Sequence, residues 1–198
     1  MDDSLKEELD YFIDILVKSG FFNEEDIREI LEEQFIEEDI NIDEIPIELI
    51  ENSNSNFSIL KEAFEKLADK NIIAIHNCGY DLEEAVGDAF ELAIHLRNNS
   101  QNPEGFCFYT FEDIEEAIFD SKLRITFGDF DEDENKALII GKTIEKLLKD
   151  LNFKIDWNQT VNEQITINPF IWDKSYNENE EFEMEGAYET YMKRCNSE

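Results

Sequence analysis

The stretch that decides the fold runs from residue 71 to residue 80 and reads Asn71-Ile72-Ile73-Ala74-Ile75-His76-Asn77-Cys78-Gly79-Tyr80. Its first half is apolar at both alternate positions, a pattern typical of a β-strand that is covered on both faces. Gly79 then breaks the run, and Asp81 with Glu84 three residues later has the spacing of a helix capping box. The stretch therefore predicts a central strand that ends in a turn and leads into a helix.

Similar patterns extend along the rest of the chain. Further strands are predicted at 106–109, 123–127, 153–157 and 165–167, and apolar residues at helical spacing lie between them, most clearly over 137–151. The helices and strands alternate without strict βαβ regularity, and the last two strands are near neighbours. We therefore predict an α+β fold: a mixed sheet of four to five strands with packed helices, preceded by an N-terminal helical hairpin.

The polar run Asn52-Ser53-Asn54-Ser55-Asn56 is the clearest break in this pattern. It predicts an N-terminal helical subdomain over 1–52 and a main α+β domain over 57–175. Residues 176–198 form an acidic C-terminal tail, in which Tyr188, Met192 and Cys195 are spaced for a short last helix.

Net charge is the feature that most restricts the partners of this chain. Fifty Asp and Glu stand against seventeen Lys and Arg, which gives a formal charge of −33. Such a field repels nucleic-acid phosphates and anionic bilayers and attracts basic protein surfaces. We expect no nucleic-acid or membrane partner, and a basic protein is the partner class that the charge favours.

The first residues lack the basic and apolar regions of a signal peptide, and the longest apolar runs are too short to span a membrane. Three scattered cysteines, Cys78, Cys107 and Cys195, predict free thiols in a reducing compartment. These features favour a cytoplasmic protein.

The end of the predicted central strand is the best candidate for a ligand pocket. His76, Asn77, Cys78 and Tyr80 gather an imidazole, an amide, a thiol and a phenol there, and Tyr109 follows the next strand. Ligands collect at the carboxyl ends of strands in open sheets with helical crossovers. The competing interpretation is structural, because burial alone explains most free cysteines.

Catalysis at this strand end would require a base beside the thiol of Cys78. His76 and His95 are the two histidines, and the i, i+2 spacing predicts that His76 and Cys78 share one face of the strand. Nothing else in the chain supports a catalytic set, so no catalytic residue is assigned and we favour a protein without enzymatic activity.

Metal and cofactor motifs are incomplete. His76, Cys78 and Cys107 lack the short paired spacings of zinc sites. The run from Asp129 starts like a calcium loop, but Glu134 and Ile140 occupy the positions that require Gly and Glu. Gly141-Lys142-Thr143 lacks the first Gly of a phosphate loop and lies inside a periodic helix. We therefore predict no metal and no cofactor.

Two acidic segments are candidates for partner binding. Their residues are Asp129, Asp131 and Asp133 in the loop before the strongest helix, and Phe182 and Met184, which alternate with Glu near the C-terminus. Alternating acidic and apolar residues can serve as a binding segment. The alternative is that both segments are solvated acidic surface.

Several blocks together resemble an uncharacterised bacterial family, domain of unknown function 6891. The blocks are Ile73–Tyr80, Gly105–Tyr109 with Asp113 and Ala117, Leu123–Phe127, the helix 140–151, and 153–172 with its two Trp residues. The resemblance covers roughly residues 58–173. Asn158-Gln159 departs from an Asp-Gly in the family, and Cys78 departs from a small residue. The resemblance implies a bacterial cytoplasmic domain and no known activity.

Three hypotheses about function follow. The leading one is a non-enzymatic interaction module that docks a basic partner, in the manner of an inhibitor or immunity protein. The alternative is an enzyme or small-ligand binder with a pocket at the end of strand 72–77. In the third, the acidic surface is only a solubility adaptation of the host. The identity of a partner and the oligomeric state stay open.

Overall fold

A computed structural model describes residues 3–38 and 40–194, and Cys195, predicted to lie on the last helix, falls outside that range. The helices are α1 (Asp3–Ser19), α2 (Glu24–Gln34), α3 (Ser55–Ala68), α4 (Leu82–Asn98), α5 (Phe111–Asp120), α6 (Glu134–Asp150) and α7 (Glu183–Lys193). The strands are β1 (Ile72–Ile75), β2 (Gly105–Phe108), β3 (Leu123–Asp129), β4 (Ile155–Asp156) and β5 (Ile165–Ile167). A short 3-10 turn spans Ile42–Glu44.

The five strands form one mixed sheet in the order β1-β2-β3-β5-β4. β1 and β2 are parallel, and the other neighbouring pairs are antiparallel. α1 and α2 form the predicted N-terminal hairpin. The prediction of an α+β fold with a mixed sheet of four to five strands is confirmed. The prediction that β1 is a central strand is wrong, because β1 lies at the edge of the sheet. Its apolar pattern reports cover on both faces, and this cover does not require a strand on each side.

Helices cover both faces of the sheet. Ile73 and Ile75 of β1 join Phe106 and Phe108 of β2 in a buried cluster with the apolar side of α4. On the other face, Gly105 and Phe127 lie against α6, at Ile140 and Gly141 respectively. All four residues of β1 are buried, because a strand covered on both faces has no solvent side.

Local sequence signals explain where the helices begin. The Asp81 side chain accepts hydrogen bonds from the backbone N–H groups of Glu83 and Glu84, as the capping spacing predicted. The return bond differs from a standard box, because the Glu84 carboxylate accepts from the N–H of Tyr80. Thr110 and Asp113 form a complete capping box at α5.

The contacts divide the chain into two compact units. The first contains residues 1–55 and 173–179, and the second contains 56–172 and 180–198. In the first unit the buried Lys174 donates a 2.5 Å hydrogen bond to the carbonyl of Gly20, and its ammonium lies 4.5 Å from the ring centre of Phe21. The domain boundaries predicted from the sequence stay a prediction.

The second unit contains the whole sheet and α7. The backbone N–H of Glu183, the first residue of α7, donates to the carbonyl of His76 at the end of β1. Ala187 and Tyr191 of α7 then join the buried cluster with α4. Among the described residues, no helix is both long and apolar enough to cross a membrane.

Substitution of Gly105 should test the packing of β2 against α6. A Cβ on Gly105 would clash with Cδ1 of Ile140 and lie 2.5 Å from the carbonyl oxygen of Gly128. We expect Gly105→Ala to lower the free energy of unfolding by about 1–3 kcal/mol, as overpacking does. Urea denaturation measures the change.

Gly87→Ala is the matched control. Gly87 lies on α4, and a Cβ there meets nothing within 4 Å. We expect this variant to be more stable by roughly 0.5–1 kcal/mol, because alanine favours the helix. Equal stability of the Gly105 variant and the wild type would contradict the packing described.

Candidate functional site

The end of β1 is a tight turn held by backbone hydrogen bonds. Asn77 and Gly79 adopt positive φ values of 50° and 63°, which reverse the chain after the strand. The N–H of Cys78 donates to the carbonyl of Tyr109, and the N–H of Phe111 donates to the carbonyl of Gly79. These bonds attach the turn after β1 to the residues that follow β2.

His76 lies in a buried aromatic cluster at this turn. It is 8% exposed, and its Nδ1 is joined to the hydroxyl of the fully buried Tyr109 by a 2.8 Å hydrogen bond. The imidazole stacks on Phe64 at 4.4 Å between ring centres and meets Phe182 edge-on at 5.6 Å. Burial raises the pKa of Tyr109 well above its ordinary value, so its phenol stays protonated.

Cys78 lies on the opposite side of the sheet from His76, and the prediction that the two share one face is wrong. The Cys78 thiol donates to the carbonyl of Ala85 and packs in the cluster with α4. The positive φ of Asn77 breaks the strand alternation between the two residues. Burial, and then the nearby carboxylate of Asp88, raise the pKa of the Cys78 thiol, which opposes thiolate formation.

The remaining predicted pocket residues are spread around the turn. Asn77 donates from Nδ2 to the Glu183 carboxylate, and Tyr80 is 51% exposed and stacks on Phe111. The cavity beside His76 has a volume of about 30 Å³, far below the roughly 300–1,000 Å³ of small-molecule pockets. The structure thus joins the side chains of His76 and Tyr109 and places the Cys78 thiol on the other face of the sheet, while the backbone N–H of Cys78 still bonds to the carbonyl of Tyr109. The ligand pocket itself stays a prediction.

The described residues hold no cluster of side chains that could bind a metal ion. Among residues 3–38 and 40–194, no group of three or more His, Cys, Asp or Glu residues is arranged to hold a metal ion. Cys107 is buried on the α6 face of the sheet, and burial raises the pKa of its thiol.

The carboxylates of the acidic loop before α6 bind groups of the loop itself and of the first turn of α6. Asp129 is buried and accepts from the backbone N–H groups of Asp131 and Asp133. Asp133 caps α6, and Asp131 pairs with Lys136 at 2.5 Å. The Lys136 ammonium lowers the pKa of Asp131. The role of these three residues in partner binding stays a prediction.

The two apolar candidates near the C-terminus lie at the start of α7. Phe182 packs against Phe57 and His76 at ring distances of 5.5 and 5.6 Å. Met184 is half-buried against the cluster that contains α4. Phe182 lines the small cavity beside His76, and Met184 lines a pocket of its own with α4.

That pocket, the α4–α7 pocket, has a volume of about 230 Å³. Its lining residues are Glu91, Leu92, His95, Met184, Glu185 and Tyr188. Leu92, Met184 and Tyr188 give it an apolar floor, and the exposed carboxylates of Glu91 and Glu185 stand at its rim.

Further negative charge lies beside the rim, on α4. Glu84, Asp88 and Glu91 follow one another at i, i+4 and i+7 on one side of the helix. Partial burial, and then the charges of Glu84 and Glu91, raise the pKa of Asp88. Sequence reasoning missed this pocket apart from Met184, because its two walls are ninety residues apart in the chain.

Comparison with known proteins gives one match. A protein-family model described as a domain of unknown function (DUF6891) matches residues 2–176. The resemblance drawn from the motifs is confirmed, and the match also takes in α1 and α2, which the motifs had left out. No curated protein and no solved structure matches the chain.

Alkylation should report the burial of the Cys78 thiol. We expect Cys78 in the folded protein to react with iodoacetamide far more slowly than in urea, because the reactive thiolate is disfavoured. Peptide mass spectrometry assigns the rate to each cysteine. A rate for Cys78 that matches or exceeds the rate in the unfolded chain would revive the nucleophile hypothesis.

The raised pKa of Asp88 predicts a specific dependence of stability on pH. The folded state binds the Asp88 proton more tightly than the unfolded chain, so the contribution of Asp88 to stability falls as pH rises from the ordinary pKa of 3.8 through the folded pKa. At pH 7 we expect Asp88→Asn to be more stable by about 0.5 kcal/mol, because two like-charge contacts on α4 are lost.

This gain should shrink as pH falls towards 3.8, where Asp88 of the wild type is itself protonated. Thermal denaturation between pH 4 and pH 7 measures it. Asp156→Asn, on the exposed side of β4, makes the same change in net charge away from α4 and is the control. An identical pH profile for both variants would contradict the local origin of the effect.

Proposed function

The chain belongs to the family described as a domain of unknown function (DUF6891), to which no activity is assigned, and we propose that it is a non-enzymatic interaction protein that docks a basic partner at the α4–α7 pocket. The observation that carries the proposal is the combination of an apolar floor and acidic rim in one pocket. We further propose that the protein is bacterial and acts in the cytoplasm, as the motif resemblance implies.

The chemistry of the pocket suits a lysine or arginine side chain. Such a side chain buries its methylene stem on apolar surface and keeps its charged head in a polar environment. Leu92 and Met184 would receive the stem, and Glu91 and Glu185 would pair with the head. The volume of about 230 Å³ is smaller than that of typical small-molecule pockets and suits one inserted side chain.

Long-range charge supports the same partner class. A formal charge of −33 accelerates encounter with a cationic surface, and such steering weakens as salt screens the charges. One such partner is a protein with a basic surface that binds nucleic acid. This chain would cover that surface and block it, as an inhibitor or immunity-like protein does. The solubility hypothesis differs, because it assigns no special role to the α4–α7 pocket.

A defined basic probe separates the two hypotheses. We expect an oligolysine peptide, titrated calorimetrically at low salt, to bind the wild type and to lose affinity as salt is added. Glu91→Gln combined with Glu185→Gln should weaken binding about tenfold, or about 1.4 kcal/mol. Amide chemical shifts should move on α4 and α7.

Glu29→Gln combined with Glu33→Gln is the matched control, because it removes the same charge from exposed positions on α2. We expect it to retain nearly the full affinity. Equal weakening by the two double variants would favour a diffuse acidic surface and overturn docking at the α4–α7 pocket.

A further inference from the structure

A second concave surface in the sheet-containing unit has the opposite charge. It lies between α3 and α6 and has a volume of about 640 Å³. Lys66 and Lys70 line one wall, and Lys142 and Lys146 line the other. We call this surface the lysine groove. It collects four of the seventeen basic residues of a chain that carries fifty acidic ones.

Three of these ammonium groups lack carboxylate partners. Within residues 3–38 and 40–194, Lys70, Lys142 and Lys146 form no ion pair, whereas Lys66 pairs with Glu62 on its own helix. Some other lysines of the same unit are paired, including Lys61 with Glu180 and Lys149 with Glu145. Lys122 and Lys154, which stand apart from the groove, form no ion pair within the described residues. In so acidic a protein, four lysines that share a groove with a single carboxylate, Asp150, are a local reversal of the overall pattern.

The spacing of the lysines makes this arrangement unfavourable without a ligand. Lys142 and Lys146 stand at i and i+4 on α6, whereas Lys66 lies in the last turn of α3 and Lys70 in the turn that follows this helix. Like charges at this spacing on a helix repel each other. The two rows also face each other across the groove. An anion bound between them would relieve the repulsion within and between the rows.

The lining also suggests what the anion carries. Ile139, which is 65% exposed, and the half-buried Leu147 provide an apolar wall, and Asp150 is the one carboxylate among the lining residues. With Lys66 paired to Glu62, the four ammonium groups and the Asp150 carboxylate fit a ligand with about two to three negative charges, and lysine binds phosphate as a point charge. The volume falls within the roughly 300–1,000 Å³ of small-molecule pockets.

We propose that the lysine groove binds a small organic di- or triphosphate, with its phosphates on the four lysines and its organic part on Ile139 and Leu147. This site is independent of the α4–α7 pocket and of the basic partner proposed there. It is also distinct from a phosphate loop, because Lys142 and Thr143 lie in the middle of α6 and the Thr143 hydroxyl donates to the carbonyl of Ile139.

The net charge limits the ligand to a small molecule. At physiological salt, charges beyond about 8 Å are largely screened, so a compact anion in the groove interacts mainly with the lysines. A nucleic-acid strand would continue past the groove onto a surface where acidic residues outnumber basic ones. Adenosine diphosphate and pyrophosphate are suitable probes, since they differ in the organic part.

Calorimetric titration of the full chain tests the proposal. We expect adenosine diphosphate to bind more tightly than pyrophosphate, and amide chemical shifts to move on α3 and α6. Lys142→Gln combined with Lys146→Gln should weaken the affinity for both probes about tenfold. Circular dichroism checks that this variant folds.

Lys122→Gln combined with Lys154→Gln is the matched control, because it removes two exposed lysines that do not line the groove. It should retain the affinity of the wild type. Failure of both probes to bind the wild type, or equal weakening by the two double variants, would overturn the proposal. A dimer of the wild type, measured by sedimentation, that dissociates in the Lys142→Gln and Lys146→Gln double variant would also overturn the proposal. A second copy of the chain would then occupy the groove.

Discussion

The backbone N–H of Glu183 donates a 3.1 Å hydrogen bond to the carbonyl of His76, and the Glu183 carboxylate accepts from the amide of Asn77. These two bonds attach the start of α7 to the end of β1, a strand at the edge of the sheet. An edge strand has unpaired backbone groups that need cover. The attachment places Phe182 over His76 and Met184 against α4. Both the closed aromatic cluster and the α4–α7 pocket therefore depend on it.

The sheet separates two regions of opposite charge. α4, with its row of carboxylates, packs on the face that carries Phe106 and Phe108. α6 packs on the face of Gly105 and Phe127, and its lysines face those of α3 across the lysine groove. A protein with a formal charge of −33 would gain stability from placing each lysine among carboxylates. The groove departs from that arrangement, and this departure is the basis for proposing a ligand there.

The comparison of His76 with Cys78 shows where periodicity fails. Strand spacing predicted that their side chains lie on one face. In that arrangement the imidazole could act as the base for the Cys78 thiol. The strand ends at Ile75, however, and the positive φ of Asn77 turns the chain before Cys78. The imidazole then enters an aromatic cluster with Tyr109, and the thiol enters the α4 cluster. A strand pattern predicts faces only while the extended backbone lasts, and it does not report where that backbone ends.

The sequence by itself determined the strand that is buried on both faces, the capped helix after it, the N-terminal hairpin, the α+β class and the family. The strand, the capped helix and the hairpin depend on residues within a few positions of one another, where apolar periodicity and capping side chains act directly. The class and the family follow from the order of such blocks along the chain. Only the tertiary structure decided the two concave surfaces. Met184 and Leu92 line one pocket, and Lys66 and Lys142 line one groove, because helices distant in the chain pack on the same sheet. Such contacts follow from the packing of whole elements, for which a single sequence carries no local signal.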